Sequence, residues 1–265
     1  MARELLEFSF TFILFKMKLF IFGLLGLLTL LGVLISPVKT EAGVKLSVPI
    51  LMYHYIGNNP NPKDYARNTL SVAPDKFETQ MQYLASHGYT PISLDTLYGI
   101  YNGQVAALPK PIVLTFDDGY IDFYTTAWPI LSRFGFHAVS FIPTGLMNQG
   151  YYMSWAMIRQ IAASGLVTFE GHSISHSSLT GLNNDRLIAE LKDSKNMLQS
   201  QTGYPVNFVA YPNGATNGYV QSVARRLGYV GGLGTWYSKA SGPSMNLPRI
   251  RITGQMSLTD FASRI

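Results

Sequence analysis

Five glycines punctuate this chain in the same way, and they constrain its fold more than any other feature. His87-Gly88-Tyr89, Phe134-Gly135-Phe136, Ser164-Gly165-Leu166, Thr202-Gly203-Tyr204 and Leu227-Gly228-Tyr229 each close a stretch patterned as a helix. Glycine just past a helix end takes the left-handed conformation that stops it, and the apolar residue that follows packs back. Four of the five stops lead straight towards an apolar run. The spacing predicts helices over 74–86, 122–134, 154–163, 185–201 and 218–227. In the fourth of these, Leu187, Leu191 and Leu198 are placed to share one face. The runs at 48–53, 112–116, 137–142, 166–169, 207–211, 229–233 and 248–252 are rich in Val, Ile, Phe and Tyr and read as strands. Strand alternating with helix predicts a largely parallel sheet, closed as a barrel or open.

The length of 265 residues and the absence of any linker, repeat or charge run point to one large α/β domain. The charged fraction is 13%, against roughly 25% in an average soluble domain, while 47% of residues are hydrophobic. There is no cysteine. That excludes disulfides, thiolate metal sites and thiol nucleophiles, so a metal must be held by nitrogen and oxygen donors. The net charge is +5, with Lys and Arg scattered. No basic stripe marks a nucleic-acid surface, and nothing predicts a protein partner.

An uncharged apolar run from Leu19 to Ile35 follows Lys16 and Lys18 and precedes Ser36-Pro37. Residues 1–43 therefore read as a secretory signal or an uncleaved membrane anchor, which puts residues 44–265 outside the cytoplasm, secreted or tethered. Any contact with the membrane is expected through this segment alone. Met17-Lys18 opens a compact signal by itself, which marks Met17 as a candidate start.

Two motifs carry chemistry. Asp117-Asp118 closes the run 112–116, and His172 and His176 follow the run 166–169. In parallel α/β folds the C-terminal strand ends gather active-site groups. Adjacent carboxylates repel one another unless a cation offsets them. Two imidazoles and one carboxylate make a three-donor set with room left for water and substrate. Each motif alone has a plainer reading: an Asp capping the next helix, or histidines in a polar loop. Together they match what metal-assisted hydrolysis requires. Such donors suit one divalent ion: zinc first, with cobalt, nickel or iron also compatible.

Thr115-Phe116-Asp117-Asp118-Gly119 and His172-Ser173-Ile174-Ser175-His176, in this order, resemble the first two motifs of polysaccharide deacetylases of carbohydrate esterase family four. The resemblance runs from about Val48 to Ile252. It implies a distorted (β/α) barrel of about seven parallel strands and removal of N-acetyl groups from an N-acetylglucosamine-containing polysaccharide. In that scheme Asp118, His172 and His176 hold the metal, and Asp117 is the base that takes a proton from a metal-bound water. Two departures accompany it. Where many members carry Arg-x-Pro-Tyr, this chain has Ala210-Tyr211-Pro212-Asn213, and no histidine follows His176. Both fit a subgroup resembling poly-N-acetylglucosamine deacetylases, because Pro49-Ile50-Leu51-Met52-Tyr53-His54 matches their opening stretch. By that likeness His54 is the general acid, and Arg249 or Arg251 takes the place of the missing arginine. Tyr211, Pro212, Asn213, Tyr120 and Arg249 complete the expected substrate-binding set. Two rivals stand beside this reading: hydrolysis of a glycan O-acetyl ester, and glycan binding without catalysis.

Overall fold

A computed structural model describes residues 46–265; the expected signal segment and Met17 lie outside them. Among the described residues no helix is long and apolar enough to cross a membrane.

All five predicted glycine stops hold positive φ, between 63° and 80°. They end or directly follow the helices that fill the gaps between strands. In chain order the first half comprises β1 (Ile50–Tyr53), β2 (Tyr55–Ile56), α1 (Tyr65–Leu70), β3 (Ser71–Val72), α2 (Pro74–Ser86), β4 (Thr90–Pro91), α3 (Leu94–Tyr101) and β5 (Pro111–Phe116). Then come α4 (Trp128–Phe134), β6 (Ala138–Ile142), α5 (Trp155–Ala162), β7 (Val167–Gly171), α6 (Asn184–Thr202), β8 (Phe208–Ala210), α7 (Gly218–Arg226), β9 (Gly231–Leu233), β10 (Ile250–Arg251) and α8 (Leu258–Arg264). The stretch 122–134 is not one regular helix. Phe123–Ala127 forms a wider turn in which the Trp128 N–H bonds the Phe123 carbonyl. Pro129 explains the break, since it lacks an N–H and its ring crowds the carbonyl four residues back.

The seven main strands run β10-β1-β5-β6-β7-β8-β9, all parallel, with β4 also beside β5. The sheet curls until its ends meet. Leu233 at the end of β9 bridges Leu247, and three residues on Ile250 pairs with Leu51 of β1. The segment 247–249 is thus the seam of a distorted barrel.

Side chains alternate across each strand. Ile50, Val113, Val139, Phe141, Phe208 and Leu233 fill the inside, while Leu51, Leu114, Ile142 and Val209 face the helices. The interior is plugged by α3, with six of its eight residues buried. At eight residues it is shorter than the window over which a helical period is read, which is why the sequence did not announce it. Outside, α6 shows the usual logic. Asn183 caps its first turn through the Arg186 N–H, worth about 1 kcal/mol, and Leu187, Leu191 and Leu198 are fully buried.

One join is thin. β7 and β8 pair only at Gly171–Val209. Beside it Glu170, 1% exposed, accepts the N–H groups of Asn207 and Phe208 at 2.8 Å each, standing in for missing ladder bonds. Burial drives its carboxyl well above the usual range; the Phe208 and Asn207 amides and Lys195 oppose the rise, and Asp95 adds to it.

Candidate active site

The strand ends bring the two motifs together. β5 delivers Asp117 and Asp118, β7 delivers His172, and the loop beyond it returns His176. Asp118 Oδ1 lies 3.3 Å from His172 Nε2 and 3.2 Å from His176 Nε2. The local backbone is unusual: Asp118 and His176 hold φ of 75° and 59°. Residues with a Cβ rarely adopt this region, and it concentrates at functional sites.

The chemistry of these three atoms fits a cation. His172 Nδ1 lies 2.7 Å from the Ala210 carbonyl. A carbonyl only accepts, so Nδ1 carries the proton and Nε2 presents a lone pair. Asp118 Oδ1 is buried and has no hydrogen-bond partner. An imidazole lone pair and an orphaned carboxylate oxygen facing each other repel unless a positive centre lies between them. Tetrahedral donors about 2.1 Å from an ion stand roughly 3.4 Å apart, close to the spacing found. The His176 side chain is 30% exposed and that of His172 only 2%, so the set opens to solvent on the His176 side. Burial works against the Asp118 charge, and contact with Asp118 raises the pKa of His176, whose proton is the alternative to a cation at this point.

Asp117 is paired elsewhere. Arg249 grips it through two bonds, Nη1 to Oδ1 at 2.7 Å and Nη2 to Oδ2 at 2.8 Å. Arg249 also donates to Thr115 Oγ1 and, through Nε, to the Gly234 carbonyl. Burial would raise the Asp117 pKa, but the Arg249 charge and fork keep it lowered. Arg249 is 1% exposed and committed to these partners, so its expected place among substrate contacts is corrected. It is the counter-ion of Asp117. Arg251 points to solvent.

His54 directly follows β1 beside these acids, in line with the bond from the Asp117 N–H to the Tyr53 carbonyl. Its Nδ1 is buried and without a partner. Burial lowers its pKa, against the pull of Asp117 and Asp118.

Two further expectations need correction. Tyr211 is fully enclosed, its pKa pushed up to about 12 by burial, and Pro212 is buried too, so neither side chain meets substrate. Asn213 does lie at the surface, with φ 58°. The Tyr120 ring is packed against Tyr55, centroids 3.8 Å apart, and against Tyr152 at 5.4 Å. It is part of a pile that continues to Arg67 over Tyr55 at 4.4 Å. Its ring is engaged in this pile, and its hydroxyl lies within hydrogen-bond reach of Asp118. Tyr55 and Arg67 had no signal in the sequence, since they come from a short excursion after β1.

A barrel mouth where one carboxylate and two imidazoles converge, beside a second carboxylate with its own counter-ion, is the architecture of a mononuclear metal hydrolase. The chain belongs to the polysaccharide deacetylase family. The family's sequence profile matches residues 104–232. The structure of Streptococcus pyogenes deacetylase PplD in complex with acetate superposes with a TM-score of 0.76 at 32% identity, over 83% of this chain and 98% of that one. YxkH of Bacillus subtilis is 29% identical over 86% of this chain and 78% of its own length. The poly-beta-1,6-N-acetyl-D-glucosamine N-deacetylase of Staphylococcus aureus is 28% identical over 69% of this chain and 68% of its own.

Proposed function

We propose that residues 44–265 are a metal-dependent N-deacetylase domain acting outside the cytoplasm on a polysaccharide containing N-acetylglucosamine. One observation carries this reading. Three buried or half-buried donor groups, from Asp118, His172 and His176, converge at metal-ligand spacing, next to an Asp117 held ionised by Arg249. Asp118, His172 and His176 are the ligands; zinc suits them best. When bound, the ion supplies Lewis-acid polarisation of the acetamide carbonyl.

The remaining steps belong to the chain's own groups. Asp117, fixed in place by the Arg249 fork, accepts the proton of the attacking water. His54, protonated, gives its proton to the departing sugar nitrogen, so that acetate and free amine result. Tyr120, Asn213 and the exposed side of His176 are the proposed contacts for the glycan.

The test is acetate release from N-acetylglucosamine oligomers and from peptidoglycan by the full chain and by Asp118→Ala, with and without added zinc. Acetate from the wild type alone, abolished by a chelator, is the expected result. No acetate from a folded, zinc-loaded wild type would remove the amide reading, and assay on O-acetylated glycans would follow.

A further inference from the structure

No regular secondary structure holds the loop that carries the two histidines. Ser173, fully buried at φ 65°, and His176 both sit in the left-handed region. Something outside the loop must impose that path. On one side the turn after β6 contributes: the Thr144 and Gly145 N–H groups donate to the Ser173 and Ile174 carbonyls at 3.1 and 2.9 Å. A Cβ at Gly145 would stand 2.9 Å from the Ile174 oxygen, so this approach needs glycine.

On the other side lies α6. Glu190 Oε2 accepts the N–H groups of Ile174 and Ser175 at 2.8 and 2.9 Å, and Oε1 accepts the Ser175 hydroxyl at 2.7 Å. Glu190 is only 3% exposed, on the face that Leu187 and Leu191 use to pack the core. A carboxylate buried on an apolar face is costly unless its bonds are needed. These bonds turn two consecutive amides towards α6, and the two peptide planes they fix lie between His172 and His176.

We propose that Glu190 is a positioning residue for the metal centre. It holds the loop so that both Nε2 atoms face Asp118 before any ion arrives. This rests on the assignment of Asp118, His172 and His176 as ligands. Residues that orient ligands from behind typically change metal affinity about 10–100-fold when lost.

Two variants of the full chain, Glu190→Leu and Glu190→Gln, test this by zinc titration against a chelating dye, at a temperature where circular dichroism shows both folded. Zinc affinity is expected to fall about 10–100-fold in Glu190→Leu. Glu190→Gln should stay within a few-fold of wild type, because its amide oxygen can accept both backbone N–H groups. A folded Glu190→Leu that binds zinc as tightly as wild type overturns the proposal. Amide exchange in metal-free wild type decides independently of whether the variants fold. Ile174 and Ser175 are expected to be strongly protected, and exchange at open-chain rates would also overturn the proposal. A wild type that binds no zinc sinks the ligand assignment, whereas unprotected amides sink only the role of Glu190.

Discussion

Arg249 and Asp117, separated by 132 residues in the chain, are joined by two parallel bonds inside the barrel, with both side chains almost wholly hidden from water. Removing one partner of a buried pair costs about 3–5 kcal/mol, because the other charge is stranded. Arg249→Met should therefore lower the thermal midpoint. It should also move activity along the pH axis. In the proposed mechanism Asp117 acts ionised, and its pKa is held down by Arg249 against burial. Without the arginine that pKa rises, so activity is lost first at acid pH. The acidic limb of kcat/KM against pH should shift upward; an unmoved limb would separate Arg249 from the base.

His54 should matter only when the leaving group needs a proton. General acids contribute about 10²–10⁴-fold. His54→Gln is expected to lose that much on N-acetylglucosamine oligomers while keeping its metal. On 4-nitrophenyl acetate, whose phenolate departs unaided, the variant should retain most of its rate. Equal losses on both substrates would assign His54 a structural role.

Metal removal should be visible in stability as well as rate. A ligand that binds only the folded chain stabilises it by about 2.7 kcal/mol at a hundred times its Kd. Zinc added to chelator-treated protein should raise the midpoint in wild type, and much less in His176→Ala. A midpoint that does not respond to zinc would count against the three-donor site.

Glu170 offers a test with the opposite sign. Its folded pKa lies above its unfolded value, so its contribution is full below about pH 4.3 and is lost as pH rises through the folded value. Glu170→Gln keeps an oxygen for the Asn207 and Phe208 amides and carries no charge to bury. The variant should match or exceed wild-type stability at pH 8, with the difference shrinking towards pH 5. Calorimetry at both values checks this.

The sequence shows the skeleton of this site but not its supports. The glycine after each helix and the apolar runs located every main strand to within a few residues, because both signals are local. Asp117, Asp118, His172 and His176 were legible because their motifs are contiguous. Arg249 could be placed only as an alternative to Arg251, since the irregular path of 247–249 that turns Arg249 towards Asp117 leaves no mark in the sequence. Glu190 did leave a trace: it falls three residues after Leu187, on the buried stripe of α6, where an acid is out of place. Tyr211 misled because it occupies a motif position while its ring is spent on packing.

The closure at Leu233–Leu247 gives the barrel a weak point, because β9 and β10 touch there through an irregular segment instead of a full ladder. Arg249 straddles it, bound to Gly234 on one side and to Asp117 on the other. The three proposed metal donors come from the ends of β5 and β7 and the loop after β7, away from this seam. If the ring gaped, Asp117 would lose its counter-ion while the donors stayed assembled, leaving a molecule loaded with its ion but idle. On the proposed mechanism, occupancy by metal and competence for turnover are separable properties, and a single guanidinium links them.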